Sequence, residues 1–196
     1  MSGAKTIVRP RDAASLVLVR RSAKGLEVLM GRRPRKSAFA PDVFVFPGGK
    51  VEPGDRLARP LRPLDPESAR RTGASPRLAE ALAAAALRET AEETGLILPP
   101  DHGALTLMAR AITPTESPIR FHARFFLADW DEAHGAHSDS HELTDLTFRS
   151  LEDIAKLPLM DVTEAVLASL GELDAQGVRP FLFTYRGGRP RHRPLA

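Results

Sequence analysis

The chain has 196 residues, of which 42% are hydrophobic and 27% charged, and its formal net charge is +3. That length suits one domain with a sizeable core, and no repeat calls for a second, so we predict a single domain over residues 1–196. The absence of cysteine excludes disulfides and thiolate metal sites. No apolar run approaches the roughly 20 residues of a membrane span, and the start lacks a secretory apolar core. We therefore expect a cytoplasmic protein with no membrane partner.

Basic residues concentrate at the two ends of the chain. Residues 1–36 carry ten basic and two acidic side chains, and residues 179–196 carry five basic and no acidic ones. Basic patches suggest nucleic acid, but these lack interleaved aromatic residues. We expect solvated termini that attract a small anionic substrate, and no nucleic-acid partner. The sequence is also compatible with a homodimer.

The element pattern predicts a mixed α/β domain. Seven short segments rich in branched and aromatic residues predict strands, and two segments with an apolar stripe predict helices. In chain order these are strands at residues 14–19, 27–31 and 43–46, a helix at 76–94, strands at 104–111, 119–128 and 143–148, a helix at 161–176 opened by the capping box Asp161-x-x-Glu164, and a strand at 181–185.

The first predicted helix carries a concentrated negative charge. Residues 88–96 read RETAEETGL and place Glu89, Glu92 and Glu93 about one turn apart on one helix face. Like charges at this spacing cost a few tenths of a kcal/mol each. The pattern favours a bound cation, and carboxylate oxygens suit Mg²⁺ or Mn²⁺. A solvated acidic face is the plainer alternative.

Upstream of this helix the sequence DVFVFPGGKVEPGD joins an apolar strand to a glycine pair. Gly48 and Gly49 allow a sharp turn and a close approach of the backbone to a ligand. A glycine turn followed by a helix that bears glutamates indicates a site for a metal and a phosphate. The arrangement resembles the Nudix hydrolases, whose box is G-x5-E-x7-R-E-U-x-E-E-x-G-U, with U aliphatic.

The residues that match the box divide into an early and a late half. They are Gly49 as the opening glycine, Arg88 and Glu89 as the R-E pair, Glu92 and Glu93 as the E-E pair, and Gly95 and Leu96 as the closing pair. Thr90 replaces the first aliphatic residue. The first acid is either Asp55, which follows Gly49 after a spacer of five residues, or Glu80, which fits the spacing back from Arg88.

The box is interrupted, since residues 56–87 stand where the pattern has seven residues. The stretch at about 56–76 is rich in Pro and Arg and predicts an inserted surface loop, either functional or inert. A broken box resembles the branch of the family that includes a peroxisomal coenzyme A diphosphatase. The coenzyme A motif of the family is only partly met, with Arg33 and FPGG in place.

The resemblance implies a Nudix α/β/α sandwich and metal-dependent attack of water on a nucleoside diphosphate linked to another group. It implies Glu92, Glu93 and the Gly48 carbonyl as ligands of Mg²⁺ or Mn²⁺. Glu89 would be a further ligand or the general base, and Arg88 would orient a glutamate. Glu142 is the other candidate base.

Four arginines are candidates for contact with the substrate: Arg32, Arg33, Arg120 and Arg124. Coenzyme A or an acyl derivative is the leading substrate hypothesis, and ADP-ribose or a dinucleotide is the alternative. A Nudix fold that only binds or senses a ligand is a second alternative, which the presence of all three glutamates disfavours.

Overall fold

A computed structural model describes residues 7–23, 25–60, 62–98, 103–130, 136–173 and 177–195. Within these ranges the chain forms nine strands and four helices. They are β1 (Arg11–Ser22), β2 (Gly25–Arg32), β3 (Phe44–Val45), β4 (Gly48–Lys50), α1 (Pro66–Arg71), α2 (Pro76–Thr94), β5 (Thr106–Ile112), β6 (Phe121–Asp129), β7 (Thr144–Ser150), α3 (Leu151–Ile154), α4 (Asp161–Gly171), β8 (Phe181–Arg186) and β9 (Arg189–Pro194). None of the helices in the described ranges has the length and apolarity needed to cross a bilayer.

All nine strands join one open, mixed sheet. Its main path runs β3-β2-β1-β6-β5-β8-β9, while β4 pairs with β1 and β7 with β2. The β1–β6 and β5–β8 pairs are parallel, and the others are antiparallel. The predicted α/β class with a mixed sheet is confirmed.

Apolar side chains fill both faces of the sheet, because successive residues of a strand point to opposite sides. Leu16 and Leu18 of β1 join a buried cluster with the alanines of α2. Val17 and Val19 join a second cluster with Val166 of α4. The sheet is therefore covered by α2 on one side and α4 on the other, as the sandwich requires.

Helix α2 has the predicted bounds, and its ends explain why. The Ser75 side chain accepts a hydrogen bond from the Leu78 N–H, and Pro76 occupies the first turn. Gly95 ends the helix with a left-handed backbone, φ 76°. These signals set where the helix begins and ends, so Glu89 and Glu93 lie in its last two turns, beside the glycine pair.

The predicted capping box of the second long helix is wrong. Met160 is the N-cap of α4 and makes no side-chain capping bond, while Asp161 is already the first helical residue. The Asp161 carboxylate accepts instead from the Tyr185 hydroxyl on β8. The helix ends at Gly171, and residues 174–176 of the predicted span lie outside the described residues.

The segment at residues 56–76 differs from the predicted surface loop, because it contains α1 and packs against the sheet. Leu64 forms a parallel bridge with Leu105, and the buried Ser68 hydroxyl accepts from the Leu107 N–H at 2.7 Å. The Thr72 carbonyl accepts from Arg124 Nε at 3.3 Å. The segment is held by hydrogen bonds between polar groups, and a search for periodic apolar residues does not detect such contacts.

Candidate active site

A cleft of about 620 Å³ lies on the α4 side of the sheet. Four carboxylates line it: Glu89 and Glu93 from α2, Glu142 from the segment before β7, and Asp161 from the start of α4. The carbonyl end of β3 and the glycines of β4 lie beside them. The structure thus brings two box glutamates and the alternative base candidate into one cavity.

The glycine pair lets helix α2 reach the cleft. Glu93 Oε2 accepts from the Gly48 N–H at 2.8 Å. A Cβ at Gly49 would collide with the Glu89 carboxylate, and one at Gly48 would collide with Ser15 and the Ala14 carbonyl. Only glycine therefore allows β4 to pair with β1 while the helix carboxylates lie against its backbone.

Burial and mutual repulsion destabilise the ionised glutamates. Glu93 is 4% exposed, and burial, opposed by the Gly48 N–H, raises its pKa to about 8. Burial also raises the pKa of Glu89, against the attraction of Arg88. The Glu142 charge pushes both pKa values in the same direction. A group of carboxylates in this condition would gain stability from an added cation.

Arg88 organises the acids around it. Its Nε and Nη2 bind the two oxygens of Asp55 at 2.9 and 3.0 Å, and Asp55 is 3% exposed. The same guanidinium contacts Glu89 at 3.1 Å and Glu92 at 2.9 Å. The Asp55 hydrogen bonds are the main reason that the pKa of Arg88 rises. Asp55, and not the exposed Glu80, is the acid that meets the R-E pair.

The third glutamate of the predicted set points elsewhere. The Glu92 side chain is 59% exposed, pairs with Arg88, and does not line the cleft. Among the described residues no three His, Asp or Glu side chains form a ready-made ligand group. The carboxylate oxygens of Glu89 and Glu93, which are crowded together at this end of the cleft, nevertheless fit Mg²⁺ or Mn²⁺.

Comparisons with known proteins agree on one family. The NUDIX domain family matches residues 73–170, which is half of the chain. The chain belongs to the NUDIX family. The match begins after the glycine pair, so it covers the late half of the box and leaves the early half outside.

Solved NUDIX structures share the fold over most of both chains. A NUDIX hydrolase from Alicyclobacillus acidocaldarius is 29% identical, covers 84% of this chain and 92% of its own, and has a TM-score of 0.68. An Ap4A hydrolase from C. elegans is 21% identical over 82% and 95%, with a TM-score of 0.54. The NUDIX domain of Shewanella oneidensis NrtR, complexed with ADP ribose, is 15% identical over 84% and 88%, with a TM-score of 0.58. No curated protein sequence matches the chain.

These findings confirm the predicted NUDIX family, the fold and the enzyme class, a hydrolase of phosphorus anhydrides. They do not single out the coenzyme A branch.

Of the four candidate arginines, only Arg33 lines the cleft. Its positive charge offsets a small part of the rise in the pKa of Glu93. Arg32 pairs with Asp42 at 2.7 Å. Arg124 is 2% exposed and binds Asp12 at 2.6 Å on the opposite face of the sheet. Arg120 donates to the Val8 and Thr113 carbonyls beside a smaller pocket. The expected pocket role of Arg124 is wrong, because its strand position places it on the α2 side.

Sequence reasoning missed two cleft groups at the strand β8 end. The Tyr185 hydroxyl donates to both oxygens of Asp161 at 2.6 Å, and both residues line the cleft. Burial and Asp161 together raise the pKa of Tyr185. One signal was available, since Tyr185 is the only tyrosine of the chain. Asp161 was hidden by its resemblance to a helix cap.

Proposed function

We propose that this NUDIX protein hydrolyses a nucleoside diphosphate linked to a second group, with Mg²⁺ or Mn²⁺ bound by Glu93, Glu89 and Glu92. The observation that carries the proposal is a pair of carboxylates, the buried Glu93 and the partly buried Glu89, held against the backbone of Gly48 and Gly49. Glutamates at this depth are costly unless they face a cation. The same glycines allow a phosphate to approach the site.

The reaction adds water to one phosphorus and breaks the bridging P–O bond, which leaves two phosphate monoesters. A bound divalent cation would offset the charge of the diphosphate and lower the pKa of a bound water. Arg33 and Lys50 line the same end of the cleft and attract the phosphates. Arg88, fixed by Asp55, orients Glu89. Glu142 lines the cleft and remains the alternative to Glu89 as general base.

The second linked group defines the substrate within this class. The interrupted box favours coenzyme A or an acyl derivative, while ADP-ribose and dinucleotides are the alternatives. The Ap4A hydrolase and the ADP ribose complex support a nucleotide class of substrate in this fold. We infer a small-molecule substrate and a cytoplasmic setting.

The test is product release from a nucleotide panel that contains coenzyme A, ADP-ribose and NADH, with Mg²⁺, with Mn²⁺ and with a chelator. We expect hydrolysis with either metal and none after chelation. Glu80→Gln is the matched control, because Glu80 is exposed on α2 and outside the cleft. Metal-independent turnover, or undiminished turnover in both Glu92→Gln and Glu93→Gln, would remove these residues from the metal site.

A further inference from the structure

The floor of the cleft is a row of five paired residues on five strands, and the central three are alanines. Ala13, Ala123 and Ala111 pair in register on β1, β6 and β5, with Lys50 of β4 at one end and Phe183 of β8 at the other. All five line the cleft. Four strand spacings make the row about 19 Å long. That is longer than a diphosphate needs, so the cleft has room for one of the two linked groups.

Charge is distributed unequally along this row. The basic side chains that line the cleft are Arg11 of β1, Arg33 just after β2, and Lys50 of β4. Among the described lining residues, none on β5 or β8 is basic. The phosphates therefore belong at the β4 end, beside Glu89 and Glu93.

At the opposite, β8 end of the row lie the Asp161 carboxylate and the Tyr185 hydroxyl. Tyr185 gives its only proton to Asp161, and Asp161 Oδ1 also accepts from the Val162 N–H at 2.9 Å. A carboxylate has about four acceptor positions, so Asp161 retains capacity for another donor. An aromatic pair flanks this region, with Phe183 packed on Tyr185 at 5.5 Å.

We propose, building on the hydrolase function above, that Asp161 is the specificity residue for the nucleoside half of the substrate. The base and ribose lie over the alanine floor, and their N–H and O–H donors bind Asp161. A ribose that carries a further phosphate is disfavoured, because its charge would meet the carboxylate. The preferred substrates thus have an unphosphorylated nucleoside, so at this site ADP-ribose, a dinucleotide or 3′-dephospho-coenzyme A is favoured over coenzyme A itself, which the interrupted box alone would favour.

Arg120 is a cation near this end of the cleft. It lines the smaller pocket of about 230 Å³ that shares Tyr185 and Thr113 with the cleft. Its Nη1 and Nε are already bound to the carbonyls of Val8 and Thr113 at 2.6 and 3.1 Å. These two bonds hold the guanidinium toward backbone carbonyls, and Arg120 does not line the cleft that contains Asp161.

The test uses a substrate pair that differs by one ribose phosphate, 3′-dephospho-coenzyme A and coenzyme A. We expect wild-type kcat/KM to favour the dephosphorylated substrate at least about tenfold, or about 1.4 kcal/mol. Asp161→Asn should bring the ratio close to one by improving coenzyme A. Glu164→Gln removes the same charge one turn along α4 outside the cleft and should leave the ratio unchanged. Melting temperatures check that both variants fold.

Two results would overturn the proposal: a wild-type ratio near or below one, or an equal change of both substrates in Asp161→Asn, which would place the neutral pantetheine arm there. Binding of AMP and adenosine 3′,5′-bisphosphate, measured by calorimetry, separates this from a failure of the hydrolase function. If no substrate is hydrolysed, weaker bisphosphate binding that Asp161→Asn relieves still supports the nucleoside site. Equal binding of both ligands by the wild type contradicts it.

Discussion

The two ends of the cleft are built in different ways. At the β4 end, Arg88, Glu89 and Glu93 come from two turns of one helix, and Asp55 joins them through a bidentate ion pair. At the β8 end, Asp161 and Tyr185 are 24 residues apart and share one short contact. The first end is a dense network of partly or fully buried ionisable groups, and the second is a single, partly exposed pair.

The difference in construction matches a difference in the proposed tasks, which are cation binding at the β4 end and selection of the nucleoside at the β8 end. Groups that hold a cation must be placed together and kept buried, so their residues recur at fixed spacing in a rigid helix. A group that selects a nucleoside needs only one acceptor at the right distance. Substitutions should therefore be costly at the β4 end and mild at the β8 end.

The largest effect should follow removal of the segment that joins the two halves of the box. Replacing residues 58–74 with a short Gly/Ser linker deletes Ser68 and leaves the buried Leu107 N–H without its acceptor. It also frees Arg124 from the Thr72 carbonyl. Each buried group left unpaired costs about 1–3 kcal/mol, more than the roughly 1 kcal/mol that loop closure changes over this length. Urea unfolding should show the loss, and unchanged stability would mean a dispensable loop.

Glu93→Gln should lower kcat at least about 10²-fold, which is the scale of losing a major electrostatic element. The substitution keeps the shape and the acceptor for the Gly48 N–H, so the fold should survive. Steady-state kinetics with Mg²⁺ measures the effect, and circular dichroism checks the fold. Full activity in this variant would show that the β4 end does not hold the metal.

The sequence was sufficient to predict the helix of the glutamates, because its end signals and its charges are local. Ser75 and Gly95 mark the ends of α2, and the spacing of Glu89 and Glu93 gives their common face. Most strands followed from branched and aromatic residues. β4 and β9 were missed, because one is a glycine segment that pairs through its backbone and the other carries arginines and prolines.

What the sequence could not supply was contact between distant segments. Asp55 and Glu80 fit the box equally by spacing, and only the fold shows which of them reaches Arg88. Asp161 resembled a helix cap, and only its distance to Tyr185 shows another use. Arg124 shared a strand with cleft residues but faces the other side, which depends on the register of β6 against β5.

Asp55→Asn should cost about 2 kcal/mol of stability, which is below the range for breaking a fully buried pair because Arg88 is partly exposed. The Arg88 side chain is 26% exposed and Asp55 3%. Glu152→Gln is the control, because it removes an equivalent charge from the exposed pair with Lys156, where solvent screens the interaction and we expect a much smaller loss. Chemical denaturation compares the two. A larger loss in Glu80→Gln than in Asp55→Asn would identify Glu80 as the acid of the box.

The smallest effect should come from Tyr185→Phe. The variant loses one hydrogen bond to Asp161, about 1 kcal/mol, and keeps the ring packed on Phe183. Because the Asp161 charge remains, the preference for the substrate without the ribose phosphate should persist. KM should change by at most about fivefold, which corresponds to the free energy of one hydrogen bond. The comparison with Asp161→Asn then separates the effect of the position of the Asp161 carboxylate from the effect of its charge. If Tyr185→Phe abolishes the preference as fully as Asp161→Asn does, the hydroxyl itself reads the nucleoside, and the carboxylate serves only to orient it.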